Sequence, residues 1–116
     1  MLKVTIDELE AYLLDHYSHG GIDQSLFMKL VEEIGEVAEV LNKKAGRKAS
    51  CNEDLQGQLG DELADVVHYA IAIAALNGID MTERIIEKDK RASIKYGHRV
   101  NLEQFLLKRR ENRLDG

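Results

Sequence analysis

What most restricts the fold is the absence of any proline in 116 residues, which leaves glycine and asparagine as the helix terminators. Apolar residues recur with the 3.6-residue period of amphipathic helices, and no segment alternates strongly enough to propose a strand. The expected fold is all-α, a bundle of four to five helices. Thr5 with Glu8 three residues on forms a capping-box pattern, and Leu9, Tyr12 and Leu13 give a first helix one apolar face before Gly20-Gly21 stops it. Asp23 is the expected N-cap of a longer second helix, with Leu26, Phe27, Leu30, Ile34, Val37 and Leu41 as its stripe and Gly46 as its end. Residues 47–58 lack periodicity and read as a connection.

A third helix is expected from about Leu59 to Leu76, and since Val66 to Leu76 is apolar almost all round it should be the most buried. Asn77-Gly78 stops it. Asp80 with Glu83 opens a fourth helix to about Tyr96, which Gly97 ends, and Asn101 caps a last basic segment through Arg113 with Leu102, Phe105 and Leu106 as its docking face.

Length and composition bound the function class. One chain of this size suits a single domain over residues 1–116, and 44% hydrophobic with 32% charged residues is a globular balance. The net charge of −5 speaks against general affinity for the nucleic-acid backbone, so no nucleic-acid partner is expected. That sum hides an asymmetry. Residues 1–65 carry 14 acidic and 6 basic side chains, net −8, whereas residues 66–116 carry 7 and 10, net +3. The apolar run from Val66 to Leu76 is interrupted by His68 and is shorter than the roughly 18 residues of a membrane span. Asp7, Glu8 and Glu10 break up any signal-like segment, so a cytoplasmic protein without a membrane partner is expected. Cys51 alone excludes an internal disulfide and a Cys-based zinc cage, and it has no evident catalytic partner.

Residues three apart on a helix are surface neighbours, so Glu33 and Glu36 form one carboxylate pair and Glu62 and Asp65 another. On helices packed antiparallel, the two pairs converge. Four carboxylates cannot all stay ionised at close range without a cation, and an all-oxygen set suits Mg²⁺, or Mn²⁺. Gly35 and Gly60 stand beside the acids and mark either a close approach of something to the backbone or close helix packing.

The run Glu32-Glu33-Ile34-Gly35-Glu36-Val37-Ala38-Glu39, followed by Asp61-Glu62-Leu63-Ala64-Asp65-Val66, resembles the signature of the MazG-like, all-α nucleoside triphosphate pyrophosphohydrolases. That family carries Glu-x-x-Glu, a variable gap, then Glu-x-x-Asp, and the similarity extends over roughly residues 22–97. The resemblance implies that Glu33, Glu36, Glu62 and Asp65 hold Mg²⁺ and that Glu32 joins the catalytic set by holding a second metal or a water. It implies hydrolysis of a nucleoside or deoxynucleoside triphosphate to the monophosphate and pyrophosphate, in nucleotide-pool housekeeping. It also places phosphate-binding cations on the helix after the Asp motif, here Lys88, Lys90, Arg91 and Lys95 with Tyr96. Ala92 stands where some relatives have an Asn between the Lys and the Tyr.

Weaker signals remain open. Lys43, Lys44, Arg47 and Lys48 form either a lid over phosphates or a basic helix end that complements the dipole. Tyr12, His16, Tyr17, His19 and Phe27 either stack on a base or fill the core. His68 completes one Asp-x-x-His, whereas a di-iron bundle needs two Glu-x-x-His motifs and two further acids. A homodimer or homotetramer is expected, because a few short helices with this much apolar surface leave a face uncovered. The rival from another class is a helical interaction or oligomerisation module without turnover.

Overall fold

In a computed structural model that describes residues 1–18, 23–46 and 54–115, the chain is all-α, with no strand among the described residues. Its helices are α1 (Ile6–Tyr17), α2 (Asp23–Lys44), α3 (Leu55–Leu76), α4 (Met81–Tyr96) and α5 (Leu102–Asp115). They fall into two compact units, Met1–Ile79 and Asp80–Gly116. No single helix among the described residues is long and apolar enough to cross a membrane.

Helix ends follow the capping chemistry. The Thr5 hydroxyl accepts from the Glu8 N–H at 3.1 Å while the Glu8 carboxylate accepts from the Thr5 N–H at 3.0 Å. Asp80 accepts from the Glu83 N–H at 3.1 Å, and Asn101 exchanges hydrogen bonds with Gln104 at 2.8 and 2.9 Å. α4 stops where Gly97 turns left-handed at φ +67°, a conformation that only glycine adopts without strain. The stop expected at Gly20-Gly21 lies outside the described residues.

Two boundaries differ from the sequence expectation. α3 begins at Leu55 rather than near Leu59, because Asp54 caps it by accepting from the Gly57 N–H at 2.9 Å. Gln56 and Gln58 hide that first turn from a periodicity argument, and a Cβ at Gly57 would fall on the Asp54 carboxyl group. Asp23, expected as a cap, is instead the first helical residue of α2, and its carboxylate accepts from the Asn77 amide at 3.1 Å.

Within the first unit α3 is central, packing against both α1 and α2. It carries buried Ile71, Ala72, Ala74 and Ala75, while α1 contributes Leu13 and α2 contributes Leu26 and Val40. Two polar links fix an antiparallel pairing of α2 and α3. Asp23 meets Asn77 at one end, and Lys44 donates to the Gln56 side chain at 2.8 Å at the other. The expected α2 stripe splits in two. Leu26, Leu30, Val37 and Val40 turn inward, whereas Phe27, Ile34 and Leu41, joined by Val31, are each about half exposed. The inward set steps by three and four residues, and Glu33 occupies one of its positions.

In the second unit α4 and α5 pack together. Asp89 accepts from the Leu102 N–H at 2.6 Å, and Lys90 pairs with Glu87 at 3.6 Å and Glu103 at 3.3 Å. These contacts hold the start of α5 against α4.

Candidate metal centre

The antiparallel register set by the two end links puts α2 residues 33 and 36 opposite α3 residues near 67 and 64. It thereby brings the two acidic motifs level. Carboxylate oxygens of Glu33, Glu62 and Asp65 all lie within 4.8 Å of one another, with Glu33 and Glu62 half-buried and Asp65 exposed. Glu36, one position round the helix from the inward face, is exposed and is not among the three. Glu32 points elsewhere, its carboxylate 3.4 Å from the Lys29 ammonium in an exposed ion pair. Of the four residues expected to hold a metal, the structure therefore gathers three.

The acids of the cluster act on one another. Glu33 is pushed up to about 7, chiefly by a hydrogen bond to the Glu62 carboxyl, then by desolvation and by the charges of Asp65 and Glu62. Near neutral pH a proton on Glu33 thus relieves the repulsion. A divalent cation would do the same with a larger charge. In an octahedral ion with 2.0–2.1 Å bonds, neighbouring ligands stand about 2.9 Å apart and opposite ones about 4.2 Å, so the three oxygens, within 4.8 Å of one another, would draw in on binding. The donor set is hard, anionic and all oxygen, and it fits Mg²⁺ or Mn²⁺.

The two glycines beside the motifs do not mark close helix packing. A Cβ built on Gly35 or on Gly60 would have no atom within 4 Å. Next to the acids the backbone is open to approach.

One turn beyond Asp65 on α3, an aromatic pile joins α1 to α3. The Tyr17 hydroxyl and His68 Nε2 are 2.7 Å apart, and the His68 ring packs edge-on to Tyr17, His16 and Tyr69. Tyr12 stacks on His16 with centroids 5.9 Å apart. His68 is thus a hydrogen-bonded residue of the helix packing and is not in the carboxylate cluster. Desolvation, then the neighbouring tyrosines, raises Tyr17 above the usual phenol range. His19 lies outside the described residues. Phe27 belongs to the outward face of α2, 54% exposed.

The expected phosphate ligands all belong to the second unit. Lys88, Arg91 and Lys95 are exposed and share one face of α4 at spacings of three and four. Lys95 also sits over the Tyr96 ring, 5.3 Å from its centroid, and Tyr96 stacks on His98. Lys90 lies on another side of the helix, held by Glu103 and Glu87, which raise it above the usual lysine range, Glu103 foremost. Of the basic loop flank, Lys44 is engaged with Gln56, and Arg47, Lys48 and Cys51 lie outside the described residues.

Fold and site together define an all-α protein with an acidic cluster shared between two antiparallel helices. Residues 23–99 match the MazG nucleotide pyrophosphohydrolase domain, and the chain belongs to that family. No curated protein matched the chain. The aromatic pile on α1 and α3 was the feature least legible in the sequence, because only the α1–α3 packing brings Tyr17 to His68, 51 residues away.

Proposed function

We propose that the protein is a Mg²⁺-dependent nucleotide pyrophosphohydrolase that converts a nucleoside or deoxynucleoside triphosphate to the monophosphate and pyrophosphate. The observation that carries this reading is the convergence of Glu33, Glu62 and Asp65 across α2 and α3 inside the matched family domain. Glu33, Glu62 and Asp65 would hold the cation, with Glu36 extending the set on the same helix and Glu32 supporting a second metal or a water. A bound divalent ion supplies charge neutralisation at phosphate oxygens and acidifies a bound water. What the chain itself contributes is positioning and charge, the main demands of phosphoryl transfer. Lys88, Arg91, Lys95 and Tyr96 offer the triphosphate cations and a hydroxyl, and Lys90 joins them only by giving up its acidic partners. Mn²⁺ suits the same oxygens.

The half-exposed apolar face of α2, formed by Phe27, Val31, Ile34 and Leu41, supports a homodimer or homotetramer in which a second copy covers it. The 1–116 chain acts as one domain in this reading, in the cytoplasm.

The test is pyrophosphate release from a panel of canonical and modified triphosphates with Mg²⁺. Release that disappears with EDTA and in Asp65→Asn supports the assignment. No release from any nucleotide, together with no Mg²⁺ binding by calorimetry, overturns it in favour of a helical interaction module.

A further inference from the structure

The second unit carries a cavity of about 850 Å³ lined by Arg99, Val100, Gln104, Phe105, Lys108, Arg109, Asn112 and Arg113. Its size falls in the range of small-molecule sites, about 300–1,000 Å³. The lining holds four cations and no acid. Among the described residues none of those four is in an ion pair, whereas in the same unit Lys90 takes both Glu87 and Glu103. The lining is thus uniformly cationic, with no acid of its own to offset the charge. The family match ends at residue 99, so α5 lies beyond it.

The arrangement along α5 has a direction. Lys108, Arg109 and Arg113 gather within about one and a half turns. Phe105 sits one turn earlier, 53% exposed, with Val100 beside it in the lining at 42%. Gln104 spends its amide oxygen on the Asn101 N–H at 2.9 Å, so what it can offer a ligand is its amide N–H₂. Three clustered cations beside an exposed aromatic ring and two amides, Gln104 and Asn112, match a ligand with a polyanionic end and a flat, hydrogen-bonding end.

We propose that this α5 cavity binds a nucleoside polyphosphate, with Lys108, Arg109 and Arg113 on the phosphates and Phe105 against the base. The site shares no residue with the carboxylate cluster, needs no divalent cation, and does not depend on the hydrolytic reading.

The experiment is calorimetric titration of the full chain with ATP, GTP, CTP and UTP in EDTA, which removes cation-dependent binding at the cluster. At least one nucleotide is expected to bind in EDTA, and to bind equally well to Glu62→Gln/Asp65→Asn. Arg109→Ala/Arg113→Ala should weaken it at least about tenfold at unchanged helix content by circular dichroism, and Phe105→Ala several-fold, with Phe105→Tyr restoring it. The charge-keeping Arg109→Lys/Arg113→Lys should retain part of the affinity. No binding in EDTA at millimolar nucleotide, or binding indifferent to the two arginines, overturns the proposal. Equal affinity for inorganic triphosphate refutes the base contact, and a single-stranded oligonucleotide that binds more tightly than every mononucleotide makes the ligand a nucleic acid instead.

Discussion

Titrating the protein with Mg²⁺ at pH 6 and again at pH 8 should release different numbers of protons, and the difference follows from Glu33. A carboxyl that titrates at about 7 is about 90% protonated at pH 6 and about 10% protonated at pH 8. Carboxylate ligands must be deprotonated to hold a cation, so each Mg²⁺ bound should expel about 0.9 proton at pH 6 and about 0.1 at pH 8. Apparent affinity should accordingly weaken up to about tenfold for each pH unit below 7. Calorimetry in pairs of buffers with different ionisation enthalpies counts the protons directly. Equal release at the two pH values, or release from Glu33→Gln matching that of the natural chain, would refute the raised titration of Glu33.

The same titration has a folding consequence whose sign is fixed. Glu33 moves from an ordinary 4.5 to about 7 on folding, so between those values the folded chain holds more protons than the unfolded one. Its contribution is therefore complete below about 4.5 and is lost as pH rises through about 7. In EDTA, the natural chain should lose stability relative to Glu33→Gln over that window.

Other perturbations separate packing from function. Gly35→Ala places a methyl group in open space within a helix, so it should stabilise the chain by about 0.5–1 kcal/mol in urea melts; a loss of nucleotide turnover despite that gain would show that a ligand uses the bare backbone. Leu13→Ala empties a large side chain with no exposure, on the helix that packs against α3, and should cost about 2–5 kcal/mol. A cost below about 1 kcal/mol would mean that α1 is not an integral part of the first unit. Ile34→Glu, at a position 53% exposed, should leave helix content intact while lowering the mass seen in sedimentation. An unchanged mass would remove the outward face of α2 from any subunit contact.

Helix number and most helix ends were legible in the sequence because caps and glycine stops are local chemistry. The start of α3 was not, since Asp54 and Gly57 form a cap inside a polar stretch with no apolar period. Spacing alone also treated Glu33 and Glu36 as equivalent. They are not equivalent, because an α2 that packs against α3 through Leu26, Leu30, Val37 and Val40 takes position 33 into that contact and leaves position 36 outside it. Reading Phe27, Ile34 and Leu41 into the same stripe concealed the distinction, since it centred the apolar face between two faces with different neighbours. Tertiary packing thus decides which acid of the Glu-x-x-Glu pair is desolvated. An isolated charged acid at such a position would destabilise the helix contact, whereas Glu33, pushed up to about 7, hydrogen-bonds the Glu62 carboxyl group. The cluster is held by the same register that builds the core, so a cation entering it would strengthen the α2–α3 contact as well as complete a site. Thermal stability that rises with Mg²⁺ in the natural chain and stays flat in Glu62→Gln/Asp65→Asn would show that coupling.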